Sequence, residues 1–221
     1  MEKSKLEYVY VSFMQHINQP SRHSSLFLGD ALDCIKNGQY RDRIEYLRTL
    51  DDVTYKKDKK TLPTIHFNGT YKKGLLTKQN FAHSSGLFHF DIDGLDPEKL
   101  ACAKLEISAI PSCVFCFTSP SGKGLKAALR IDPDSVKCDA DFKHIFHHAA
   151  ELLKGHGLII DESCKDVRRA CFNGMVAPFL NGIKSAKVGV LSSTKRRGDQ
   201  YEHYYNRDRS GKKCVPGAWR R

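Results

Sequence analysis

With 221 residues, 40% of them hydrophobic, the chain can bury one core, or one core with an appendage, but hardly two full domains. No run of 18 or more apolar residues occurs, and Met1-Glu2-Lys3-Ser4-Lys5 leads into alternation rather than an apolar block, so the expectation is a cytoplasmic chain with no membrane partner. The eight cysteines follow no disulfide-framework spacing, and the formal net charge of +11 is unevenly spread: residues 184–221 carry a net +8 and residues 1–183 a net +3. This divides the chain into a folded domain over 1–183 and a basic tail over 184–221. The tail suits a polyanion through counterion release, with Tyr201, Tyr204, Tyr205 and Trp219 as stacking surfaces; a solvated extension is the alternative.

In chain order, the alternation from Leu6 to Phe13 predicts an opening strand. A helix capped by Ser24 or Ser25 follows, with Leu28, Ala31, Leu32 and Ile35 on one face and an end near Gly38. Arg41 to Leu50 reads as a second helix and the polar stretch Asp51 to Lys60 as a loop. Pro63 to Tyr71 is a strand with a turn in it, and Gly86 to Asp93 a stronger strand. Asp96-Pro97-Glu98 combines cap, first-turn proline and first-turn acid, so a helix runs from 97 to about 105. Ser112 to Thr118 and Lys126 to Ile131 are strands joined by the turn Ser119-Pro120-Ser121-Gly122-Lys123-Gly124. Residues 139 to 154 form an amphipathic helix whose buried face is Phe142, Ile145, Phe146, Ala149, Ala150 and Leu153. This irregular mixture is α+β with a mostly antiparallel sheet flanked by helices.

Three segments can carry chemistry. Asp91 and Asp93, at i and i+2, point to one side of a strand and offer hard oxygen ligands to Mg²⁺ or Mn²⁺; solvated acids at a strand end are the alternative. Ser119, Ser121, Gly122, Lys123, Gly124 and Lys126 supply backbone N–H groups, hydroxyls and ammonium groups for a triphosphate, although the spacing is not that of a Walker loop. Asp161 to Arg169 adds a carboxylate, Asp161 or Asp166, and a guanidinium able to grip phosphate. Together they describe a two-metal phosphoryl-transfer site. Two other clusters are weaker. Cys113 and Cys116 form a CxxC within an apolar strand that should turn them to opposite faces. His144 and His148 share a helix face, with His147 adjacent, so a metal pair is geometrically possible, but no acidic or cysteine partner stands at a useful spacing and a polar outer face is the alternative.

The order of these motifs, from Leu62 to Leu180, resembles the archaeo-eukaryotic primase (primase-polymerase) superfamily, with the closest look to its VirE amino-terminal-domain-like bacterial branch. The resemblance implies a two-module α+β core in which an RRM-like half carries the hairpin and the acids. It implies that Asp91, Asp93 and Asp166 are catalytic and bind Mg²⁺ or Mn²⁺, with Asp161 the other candidate, and that Ser119, Ser121, Gly122, Lys123, Gly124, Lys126 and Arg169 bind nucleotide. The superfamily hairpin ends in a histidine where this chain has Lys126, which keeps a positive charge but loses the directionality of an imidazole. The implied activity is two-metal nucleotidyl transfer from nucleoside triphosphates to a 3′-hydroxyl on a single-stranded DNA template, in replication of a mobile element or phage, with a separate helicase as partner. The rivals are a catalytically silent nucleic-acid-binding module of the same fold and a dehalogenase-type phosphatase. The latter is suggested by Phe90-Asp91-Ile92-Asp93-Gly94 but lacks the threonine after the glycine.

Overall fold

The computed structural model describes residues 9–173, so the expected boundary at 183/184 and the basic tail lie outside the described residues. Every strand pairing within them is antiparallel, and five α-helices mix with the strands without βαβ regularity; the chain is α+β.

Strand β1 (Tyr10–Met14) pairs along its whole length with β2 (His23–Phe27). Ser24 and Ser25 therefore sit in the ladder, opposite Phe13 and Ser12, instead of capping a helix. Helix α1 (Leu28–Lys36) starts from Phe27 without a side-chain cap, and its first N–H is taken by the Val9 carbonyl at 2.8 Å, so strand pairing supplies what a serine would have. Its buried face is Leu28, Ala31, Leu32 and Ile35, as the spacing predicts. Helix α2 (Arg41–Arg48) buries Ile44 and Leu47. The stretch expected to be a loop is instead helix α3 (Asp52–Asp58) followed by a 3-10 turn over Lys59–Thr61. Asp51 caps α3 by accepting from Val53 N–H (3.0 Å) and Thr54 N–H (3.1 Å), and no α3 residue is buried, which is why apolar periodicity missed it.

The expected strand with a turn is β3 (Thr64–His66) and β4 (Gly69–Tyr71); β4 pairs with β5 (Phe81–Ser84). Strand β6 (Leu87–Asp93) leads to α4 (Pro97–Ala109), capped by Asp96, then to the hairpin β7 (Cys113–Thr118) and β8 (Gly124–Arg130), then to α5 (Asp139–Lys154). A short β9 (Cys171–Phe172) closes a four-stranded sheet of order β2-β1-β3-β9, while β6, β8 and β7 form a three-stranded sheet with β8 central.

Alternation along the three-stranded sheet divides its side chains between two layers. Phe88, Phe90 and Ile92 pack with Ala103 and Ile107 of α4 and Phe142, Ile145 and Phe146 of α5. Leu87, Phe115, Phe117 and Ala128 pack with Val11, Ile65, Phe67 and α1. Each buried Phe, Leu, Ile or Val among these contributes about 2 kcal/mol of apolar transfer energy. A register irregularity between Cys113 and Phe115 changes the expected alternation, placing both Cys113 and Cys116 in the helix-packed layer. Burial pushes both thiols up to about 12, so they are protonated core side chains. His144, His147 and His148 lie on the exposed face of α5.

Gly124 stands opposite Asp93 where β8 leaves the hairpin, and a Cβ there would come within 2.5 Å of the Ile92 carbonyl and 2.8 Å of an Asp93 carboxylate oxygen. Gly124→Ala is expected to cost about 2 kcal/mol in urea denaturation because the obstruction is backbone. An unchanged denaturation midpoint would show that the two strands separate freely at this end.

Candidate active site

His89, Asp91 and Asp93 occupy the face of β6 opposite Phe88, Phe90 and Ile92, and the antiparallel register sets Asp91 directly across from Lys126 of β8. Both side chains are buried, Asp91 at 1% exposure and Lys126 at 4%. Lys126 Nζ donates to Asp91 Oδ1 at 2.7 Å, and His89 Nε2 lies 3.3 Å from the same oxygen. Arg169 donates to Asp91 Oδ2 from Nη2 and from Nε (3.1 Å), and its Nη2 also reaches Asp161 Oδ2 at 2.8 Å. Burial alone would raise the pKa of Asp91, but Lys126, His89 and Arg169 outweigh it and hold the carboxyl well below its usual range. Burial likewise opposes the charge on Lys126, and Asp91 more than restores it.

The segment carrying Arg169 is fixed by polar groups that the edge strand β6 leaves open. Asp91 N–H donates to Cys164 Sγ (3.2 Å), Asp161 N–H donates to the Asp91 carbonyl (3.0 Å), and His89 N–H donates to Asn68 Oδ1 (2.8 Å). Asn68 Nδ2 and the Tyr71 hydroxyl each donate to the Val167 carbonyl at 3.1 Å, and His66 Nδ1–H donates to the Arg168 carbonyl at 2.8 Å. Side chains from β3, β4 and the turn between them thus aim Arg169 at Asp91.

The remaining expected residues divide into those brought to this cluster and those held elsewhere. Asp93 is exposed at the end of β6. Asp166 does not join Asp91: Arg168 grips it at 3.1 Å (Nε) and 2.8 Å (Nη2), and Lys78 Nζ is 4.0 Å away. Asp161 takes the place expected of it, with one carboxylate oxygen, one oxygen of Asp91 and Cys164 Sγ all within 4.8 Å of one another. The reason is local. Asp161 caps a 3-10 turn over Glu162–Lys165 by accepting from Ser163 N–H (2.9 Å), and that turn carries Asp166 to its far end.

In the β7–β8 hairpin, Gly122 adopts φ +77°, the Ser119 and Ser121 hydroxyls are 3.0 Å apart, and Lys123 is exposed. Three residues outside the expected motifs complete the surroundings. Arg48 Nε of α2 donates to the Pro120 carbonyl at 2.8 Å and so holds the hairpin. The enclosed Tyr55 hydroxyl of α3 lies beside Ser121 with no aligned hydrogen bond among the described residues. Lys59 places Nζ 4.9 Å from the Phe172 ring centroid and 5.9 Å from that of Tyr55, and burial followed by repulsion from Lys126 lowers its pKa. The Asp51 cap was the readable sign of the helix that delivers Tyr55 and leads into Lys59. Lys59, Lys126 and Arg169 offset the charges of Asp91, Asp93 and Asp161, and Arg48 tips the balance positive.

Divalent ions held by Asp91 together with Asp93 and Asp166, as the resemblance implies, do not fit the donor set at Asp91. Lys126 takes one Asp91 oxygen and Arg169 takes the other through two N–H groups, with 1% of the residue exposed. The carboxylate oxygens more open to solvent belong to Asp93 and Asp161.

His66 carries a consequence for stability. Burial, above all, lowers its pKa from 6.5 to about 4, so the folded chain holds it neutral while the unfolded chain binds a proton below pH 6.5. Stability is therefore expected to fall as pH drops from about 6.5 toward 4, by about 3 kcal/mol from this residue at ~1.4 kcal/mol per unit. Buried His89, also shifted down mainly by burial, acts in the same direction. Guanidinium unfolding at pH 7.5 and pH 5 measures the part of this loss reached by pH 5, about 2 kcal/mol; equal midpoints would refute it, and His66→Asn should reduce the difference.

Residues 57–175, more than half of the chain, match the family described as BT4734-like, N-terminal domain. The matched stretch contains Lys59, β6, the β7–β8 hairpin and the Asp161–Arg169 segment. No curated protein and no solved structure gives a match. The chain belongs to the BT4734-like N-terminal domain family, which is associated with the primase-polymerase-like superfamily.

Proposed function

We propose that this chain is a nucleotidyltransferase domain of primase-polymerase type, from the VirE amino-terminal-domain-like branch, acting on nucleoside triphosphates and a single-stranded DNA template. The observation that carries this reading is convergence on one carboxylate. Lys126 and Arg169 lie 35 and 78 residues from Asp91 in sequence, and both close on it beside a glycine hairpin and a second acid. In this reading Arg169 and Lys59 receive the triphosphate, with Lys126 behind them at Asp91, and they neutralise charge as the 3′-hydroxyl gives up its proton to water, its oxygen attacks the α-phosphorus and pyrophosphate leaves. The Ser119 and Ser121 hydroxyls and hairpin N–H groups orient the phosphates, and Asp93 and Asp161 supply the open carboxylates. Asp161 replaces Asp166 as the third acid. Template contact falls in part to the basic tail, and helicase function to a separate protein.

Saturation of Asp91 by cations favours a second reading, a phosphate-binding module of this fold without catalysis. One assay separates the two: incorporation of labelled nucleotide on primed and unprimed single-stranded DNA with Mg²⁺ or Mn²⁺. The wild-type chain should incorporate, and Asp93→Asn and Asp161→Asn should lower the rate at least ~100-fold while melting as the wild type does, because both acids are more open than Asp91. Wild-type binding of triphosphate with no incorporation would establish the silent module, and full activity in both variants would remove the acids from the mechanism. Removing residues 184–221 should make the salt dependence of DNA affinity shallower, by ~0.7 in log–log slope for each DNA phosphate that the tail neutralises. An unchanged slope would release the tail from that role.

A further inference from the structure

The pairing of Asp91 with Lys126 is set by the backbone. The two residues are directly opposed in the β6–β8 ladder, and both are enclosed, so Lys126 Nζ has Asp91 Oδ1 as its hydrogen-bond acceptor among the described residues. Arg169 closes the other oxygen and bridges to Asp161. A divalent ion needs a carboxylate lone pair at close coordination distance, and at Asp91 those directions hold N–H groups. The same cations are the groups that bind phosphate oxygens. Arg169 is the more open of the two, with 25% of its side chain exposed against 5% for Lys126, and half-buried Lys59 stands beside them. An anion reaching the cluster therefore meets Arg169 and Lys59 first.

We propose that Lys126 is a resident cation at Asp91, so that the resting site takes up polyphosphate without a divalent ion and admits no divalent ion at Asp91 while Lys126 is in place. This rests on the reading of the cluster as a phosphate-handling site, but it needs neither a template nor turnover.

Two measurements on the full chain test it. Titration with inorganic tripolyphosphate in EDTA, followed by calorimetry, should show binding to the wild type that Arg169→Met and Lys59→Met each weaken about 10-fold or more. Titration with Mn²⁺ alone, followed by the loss of its free paramagnetic signal, should show at least ~10-fold tighter uptake by Lys126→Met than by the wild type. That gain should disappear when Asp91→Asn is added, and Lys126→Arg should behave as the wild type. Lys126→Gln serves the same comparison if thermal melting shows the methionine variant unfolded. Tripolyphosphate binding that requires Mn²⁺, wild-type Mn²⁺ uptake as tight as that of the Lys126 variants, or a gain that survives Asp91→Asn would each overturn the proposal. Failure of nucleotide incorporation with both results as expected would instead remove catalysis and leave the resident cation standing.

Discussion

A carboxylate almost wholly withdrawn from water cannot remain charged without compensation, and Asp91, on the edge strand β6, is such a group. Its two oxygens set much of the surrounding arrangement. One requires a cation from the adjacent strand, which fixes Lys126. The other requires a cation from a segment distant in sequence, which draws Arg169 and the chain before it across the edge of β6. Losing either cation would leave a buried charge undercompensated, at a cost of about 3 kcal/mol or more. The network thus works as a registration device between the three-stranded sheet and the irregular segment that follows α5.

That segment is also held independently of charge. Strand β6 is an edge, and its open backbone groups near Asp91 are satisfied by Asp161 N–H, Cys164 Sγ and Asn68 rather than by another strand. Neutral groups from β3 and β4 hold the carbonyls of Val167 and Arg168. The guanidinium of Arg169 is consequently positioned by its own backbone as well as by its ion pairs.

The amino-terminal elements complete the site in a way the motif residues alone would not suggest. Arg48 grips the hairpin from α2, while Tyr55 and Lys59 stand over it from α3 and the turn after it. The cluster therefore draws on α2, α3 and the turn after it as well as on the three-stranded sheet.

Much of the fold was legible in the sequence because local periodicity decides it. The buried faces of α1 and α5, the Asp96 cap of α4, β6 and the β7–β8 hairpin follow from apolar spacing, capping chemistry and glycine placement. The misreadings have equally physical causes. Ser24 and Ser25 could cap a helix locally, but pairing with β1 claimed them; α3 buries no residue and left no apolar signal; a register irregularity turned Cys113 to the same layer as Cys116. Within the site, the sequence by itself determined which residue types were present, Asp91, Asp93, Lys126 and Arg169 among them, since spacing along a strand and a hairpin is a local property. Only the tertiary structure decided that Asp161 and not Asp166 meets Asp91, that Lys59 joins them, and that Asp91 is already neutralised by cations. Those outcomes depend on the direction in which a 3-10 turn leaves a sheet edge and on how far a carboxylate is withdrawn from water, and neither is encoded in the order of residues around it.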